Sequence, residues 1–85
     1  MSYHIVLVSS AKRDLRRLSP DLQRRIALRL HALKSTSRPT GITKLRGQGN
    51  RWRIRVGDYR IICEIDESKS VVIILRIKHR REAYR

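Results

Sequence analysis

From Trp52 to Arg60 the chain reads Trp-Arg-Ile-Arg-Val-Gly-Asp-Tyr-Arg, and this run constrains the fold more than any other. Successive strand residues point to opposite faces, so Trp52, Ile54 and Val56 share one face while Arg53 and Arg55 share the other. Gly57-Asp58 supplies a two-residue hairpin turn, the glycine providing the positive φ that such turns need. In that register Arg55 stands directly opposite Arg60, and opposed like charges destabilise a sheet. The cost calls for an external anion. With Arg80 and Tyr84 following the last strand, four guanidiniums and a phenol are expected at one end of a small sheet, an arrangement suited to a phosphodiester.

The 85 residues are expected to form one domain, 1–85, with a single small core. Lys and Arg number 21 against 7 Asp and Glu, a net charge of +14, and 16 of the cations are Arg. Arg grips phosphate or carboxylate with a planar fork where Lys acts as a point charge. So large a charge repels itself, and a polyanionic partner, nucleic acid or acidic protein, is expected to stabilise the fold. Cys63 has no cysteine partner and reads as a small core residue in a reducing, cytosolic protein. No secretory leader opens the chain, and the apolar runs 5–8 and 71–75 are too short to span a bilayer, so no membrane role is expected. His4 and His31 lack the neighbours of a metal site, and neither a metal nor a small-molecule cofactor is expected.

Residues 3–8 are rich in β-branched side chains and apolar on both faces, which predicts a central strand. A helix follows, capped by Ser9 or Ser10, with Ala11, Leu15 and Leu18 on one side. A second helix has Ser19 as N-cap, Pro20 at its first position and Asp21 in its first turn. Leu22, Ile26, Leu30 and Leu33 form its apolar stripe, and Arg24, Arg25 and Arg29 face solvent. A loop over 35–41 leads to strands 51–56, 59–66 and 71–79, with a turn at 67–70. The predicted class is α+β: two N-terminal helices packed on a small, mainly antiparallel four-stranded sheet, in the order β-α-α-β-β-β. Trp52 and Tyr59 share the apolar face and read as core or core edge. Gly47 and Gly49 read as turn residues, since no phosphate-loop fingerprint surrounds them.

This order, the segment Lys44-Leu45-Arg46-Gly47, the run from Arg53 to Ile62 and the ending His79-Arg80-Arg81-Glu82-Ala83-Tyr84 resemble the RelE/ParE toxin superfamily, and within it the RelE-type mRNA interferases. The resemblance implies a toxin of a type II toxin–antitoxin pair that enters the 70S ribosome and cuts mRNA in the A site. It implies attack by the ribose 2′-hydroxyl without a metal, and restraint by a small acidic cognate antitoxin. By the same resemblance Arg53, Arg55, Arg60 and Arg80 are catalytic, and Tyr84 removes the hydroxyl proton. Arg stands at 53 and 55 where one branch of the family has Lys, and the stretch from Arg80 to Tyr84 is shorter than in that branch.

Arg53, Arg55 and Arg60 suit the charge that builds on a crowded phosphorane, where loss of one fixed donor costs about 3 to 4 kcal/mol in well-studied cases. Guanidiniums near Tyr84 would favour its phenolate, the form that acts as a base. Arg80 suits charge stabilisation, because guanidinium does not release its proton in proteins. His79 is a possible leaving-group acid, although strict alternation sets it on the face opposite Arg80. Lys44, Arg46, Arg51, Arg76, Lys78 and Arg81 complete the candidate nucleic-acid-binding set. Two other functions fit the residues: a ParE-like poison of DNA gyrase that cuts nothing, and a basic RNA-binding module that has lost its chemistry.

Overall fold

The computed structural model describes residues 2–35, 42–47 and 49–83, and for Glu82 and Ala83 the backbone alone. The elements in chain order are β1 (His4–Leu7), α1 (Ser9–Arg16), α2 (Pro20–Ala32), β2 (Ile42–Lys44), β3 (Arg51–Val56), β4 (Tyr59–Asp66), β5 (Val71–His79) and α3 (Arg80–Ala83). The sheet runs β1-β5-β4-β3-β2, parallel at β1–β5 and antiparallel elsewhere.

The sheet is therefore five-stranded, not four-stranded. The added strand, β2, pairs Ile42 with Ile54 and Lys44 with Trp52. Three residues are too few to show an alternation, so β2 is defined by its partner. The predicted loop at 36–41 lies outside the described residues. β1 is also an edge strand, not a central one: Ile5 and Leu7 turn toward the helices, while Val6, on the other face, is 40% exposed. Apolar side chains on both faces came from a strand whose open side is only partly covered.

Ser19 caps α2 as expected, its hydroxyl oxygen accepting the Leu22 N–H at 3.3 Å, with Pro20 opening the helix. The buried stripe is Ile26, Leu30 and Leu33. These meet Ile54, Val56, Ile61, Cys63, Ile65, Val72, Ile74 and Ile77 from the sheet and Ala11 from α1. Each fully buried Ile or Leu contributes about 1.5–3 kcal/mol of transfer free energy, which is what holds α2 against the sheet.

No serine side chain caps α1, whose N-cap is Val8. Helix α1 instead replaces a strand. Beyond the Leu7–Ile74 pair β1 has ended, and the edge of β5 would be left unpaired. The Val8 N–H donates to Ile74 O (3.1 Å), the Ser10 hydroxyl donates to Leu75 O (3.0 Å), and Asp14 Oδ2 accepts the Ile77 N–H (2.9 Å). Here β5 also carries a bulge. Ile62 pairs with Arg76 and Cys63 with Ile74, so Leu75 is the extra residue. Beyond β5 the chain makes a single helical turn, α3.

Candidate nucleic-acid interface

The β3–β4 hairpin forms in the expected register. Val56 pairs with Tyr59, Arg55 with Arg60 and Arg53 with Ile62. Gly57 has φ +58° while Asp58 does not enter the positive region, the arrangement of a type II′ turn. Trp52, Ile54, Val56, Tyr59 and Ile61 face the helices. Arg53, Arg55 and Arg60 share the open face, and Lys78 joins them as the partner of Arg60 across β5.

The three arginines differ in environment: Arg55 is exposed, Arg53 half-buried and Arg60 only 6% exposed. Two carbonyls of the turn hold the Arg60 guanidinium, its Nη1 donating to Gly57 O (3.2 Å) and Tyr59 O (3.1 Å). Among the described residues no carboxylate pairs with Arg60. A buried cation held by dipoles alone is strongly disposed toward an anion. The Arg80 N–H donates to Asp58 O at 2.7 Å, so α3 starts against the hairpin turn. Arg53, Arg55, Arg60, Lys78 and the start of α3 thus meet at one end of the open face. Tyr84 lies outside the described residues.

His79 is turned the other way. It pairs with Tyr59 on the helix-covered face, their rings meeting edge to face at 5.3 Å. Its Nδ1 accepts the Arg81 N–H (3.3 Å), and it lines a cavity with Asp14, Arg17, Leu18, Tyr59 and Ile77. Alternation along β5 separates it from the arginine set.

The remaining sequence-predicted cations spread over the molecule. Arg51 is four residues from Arg55, about 13 Å along the strand, and pairs with Glu64 at 3.4 Å. Both side chains are well exposed, so the pair itself contributes little. Lys44 holds its ammonium 5.9 Å from the centre of the Trp52 ring. Arg46 and Arg81 are exposed. Arg76 is engaged by Asp14 in a two-pronged contact of 2.8 and 3.2 Å.

Sequence reasoning missed Asp14. Burial alone would raise its pKa, but the Arg76 hydrogen bond, the Ile77 N–H and the charges of Arg76 and Arg17 together hold it below the ordinary carboxylate value. The signal was available: with Ala11, Leu15 and Leu18 it completes the inward face of α1. An acid late in a helix also opposes the macrodipole, so a tertiary partner is needed to hold it there.

Two helices on a five-stranded sheet, with a cationic hairpin and a basic ending, define a RelE-like toxin domain. The chain belongs to the ParE toxin family of type II toxin–antitoxin systems, whose family model matches residues 5–84. Its similarity to curated proteins lies in the RelE-type branch of the RelE/ParE superfamily. Toxin RelG of Mycobacterium tuberculosis is 33% identical over 88 residues, covering 100% of this chain and 99% of that one. Toxin RelE3 of Methanocaldococcus jannaschii is 27% identical, covering 94% and 93%. Among solved structures, the archaeal RelE–RelB complex from Pyrococcus horikoshii OT3 matches with a TM-score of 0.84 and 28% identity, over 94% of this chain and 97% of that one. The RelBE2 toxin–antitoxin complex of Mycobacterium tuberculosis gives 0.83 and 26%, over 93% and 99%. The protein is thus a type II toxin–antitoxin toxin of the RelE family.

Proposed function

We propose that this toxin is a ribosome-dependent endoribonuclease that cuts mRNA in the A site, acts in the cytoplasm and is held inactive by a small acidic antitoxin. The observation that carries the reading is the convergence of Arg53, Arg55 and Arg60 on one open sheet end, with the backbone of Arg80 bound to the turn beside them. Arg55 and Arg60 stand opposed and, among the described residues, no carboxylate pairs with either, which suits a phosphate whose charge increases during reaction.

In the proposed reaction the 2′-oxygen attacks phosphorus, the bond from phosphorus to the 5′-oxygen breaks, and a 2′,3′-cyclic phosphate and a 5′-hydroxyl result. Tyr84 takes the 2′-hydroxyl proton as its phenolate, the form that guanidiniums around the bound phosphate would favour. Arg60, already fixed by two carbonyls, needs little rearrangement to meet the charge on the phosphorane. Arg53 and Arg55 share that charge, and Arg80 steadies the departing oxygen, which takes its proton from water. His79 has no part in this scheme, because its ring packs on Tyr59. No step requires a metal or a small-molecule cofactor. Lys44, Arg46, Arg51, Lys78 and Arg81 add phosphate contacts that raise affinity without reading sequence.

An acidic antitoxin fits the +14 charge, and two of the similar structures are toxins solved with their RelB antitoxins. A second reading, a gyrase poison, draws support from the family model's description as a ParE toxin. One experiment separates them: add the toxin to translating ribosomes, map mRNA 5′ ends by primer extension, and assay gyrase in parallel. New ends in wild type that vanish in Tyr84→Phe support the nuclease. Gyrase inhibition with intact mRNA overturns it.

A further inference from the structure

A second cationic site lies round the corner of the hairpin from the first. Arg25, Leu28 and Arg29 of α2 and Arg55, Val56 and Gly57 of the hairpin line an open cleft of about 370 Å³, room enough for a phosphodiester when a water takes about 30 Å³. Three of its six lining residues are arginines and none is an acid. Asp21, the acid in the first turn of α2, is engaged with Arg24 at 3.4 Å. Among the described residues neither Arg25 nor Arg55 has a carboxylate partner. Arg25 and Arg29 stand four apart on the helix, a like-charge pair that destabilises it. The cleft gathers cations at a cost, and among the described residues no carboxylate offsets it at Arg25 or Arg55.

Its construction suits a small anion. The Arg29 guanidinium donates to Arg55 O at 3.5 Å, tying helix to strand. Gly57 makes room for Arg25: a β-carbon there would lie 3.1 Å from Arg25 Nη2. Arg55 lines this cleft and also stands in the open-face set opposite Arg60, so the cationic surface is continuous around the hairpin end. A strip of guanidiniums that turns a corner fits a flexible phosphate backbone, whose charges recur along its length. Leu28 and Val56 are the apolar side chains that line the cleft, and Val56 is buried, which leaves an acidic protein segment a single exposed apolar group to anchor on.

We propose that the cleft between α2 and the β3–β4 turn is a second phosphate-binding site, which takes a backbone phosphate of the RNA strand flanking the linkage held by Arg53 and Arg60. The identity of the ligand rests on the nuclease reading above, but its test requires no cleavage. The probe is a 2′-O-methylated oligouridylate, which lacks the internal nucleophile and cannot be cut, and its binding to the full chain is followed by fluorescence anisotropy across a salt series. Arg25→Gln should weaken binding several-fold and lower the slope of log K against log salt by about 0.7, the contribution of one single-strand phosphate contact. Arg24→Gln removes the same charge one residue away, outside the cleft, and should leave the slope unchanged. Both positions are exposed and glutamine is a good helix former, so both variants should keep the wild-type melting temperature. An unaltered slope in Arg25→Gln, or an equal loss in Arg24→Gln, overturns the site. So does an Arg25→Gln variant that binds RNA normally and antitoxin weakly, which would assign the cleft to an acidic protein. If the Arg25-dependent slope appears while mRNA stays intact on ribosomes, the phosphate site stands and the nuclease reading falls.

Discussion

Asp14 joins three parts of the molecule through one carboxylate. It accepts the Ile77 N–H beside the bulge, receives both prongs of Arg76 and fixes α1 along the edge of β5. Because its pKa in the folded state lies below the ordinary value of 3.8, its stabilisation is present in full above that value and is lost as pH falls through the lower, folded-state pKa. Acid should therefore loosen the α1–β5 contact. Asp66 contributes to the same acid limb, since the Ser68 hydroxyl and the Lys69 N–H both donate to it in the β4–β5 turn and lower its pKa. Asp14→Asn keeps an acceptor for Ile77 but loses the negative charge that faces Arg76. It should cost about 1.5–3 kcal/mol in urea denaturation and flatten the stability loss below pH 4. A variant with the wild-type acid profile would show that Asp14 does not carry that limb. Arg60 illustrates the converse. Its presence opposite Arg55 was legible from the turn, but its burial against the Gly57 and Tyr59 carbonyls was not, because alternation gives a side chain's face and not how far it folds back.

At the scale of elements, the hairpin and α2 were the legible parts because their signals are local. The alternation on either side of Gly57-Asp58 predicts both strands and their register, and Ser19-Pro20-Asp21 predicts where α2 begins. Gly57→Ala tests the turn. A side chain at φ +58° costs about 1–2 kcal/mol, and the new β-carbon also displaces the end of Arg25. For a domain of this size that is a fall in melting temperature of about 4–8 °C per kcal/mol, measurable by calorimetry. An unchanged melting temperature would mean that the turn tolerates a different conformation. Strand β2 and the place of β1 were not legible. Three residues carry no period, and the run from Ile5 to Val8 looks the same whether a strand lies between two neighbours or beside one. The role of α1 as a substitute for a missing strand was equally hidden, since Ser10 and Asp14 bond to residues more than sixty positions away.

For the whole molecule the dominant quantity is charge. At +14 the fold carries its own repulsion, and whatever neutralises it stabilises the native state by mass action. The proposed antitoxin should raise the toxin's melting temperature, and at a free concentration one hundred times Kd the gain is about 2.7 kcal/mol. That gain should shrink as salt rises from 50 to 500 mM, because exposed charges are screened beyond about 10 Å at 0.1 M. A complex whose affinity is indifferent to salt would rule out charge as its main source. Among the described residues no helix is long and apolar enough to cross a membrane.

What the sequence determined by itself is what depends on neighbours along the chain: the hairpin register, the second helix and its cap, the apolar face and the polyanion-seeking charge. Those follow from side-chain periodicity and turn stereochemistry, which act over a few residues. What the tertiary structure decided is which distant groups meet: the fifth strand, the edge position of β1, the Asp14 clasp on β5, the turning away of His79 and the Arg25–Arg29–Arg55 cleft. Such meetings depend on how whole elements pack. Packing is decided by the summed burial of a core drawn from five of the eight elements, a quantity that no local pattern contains.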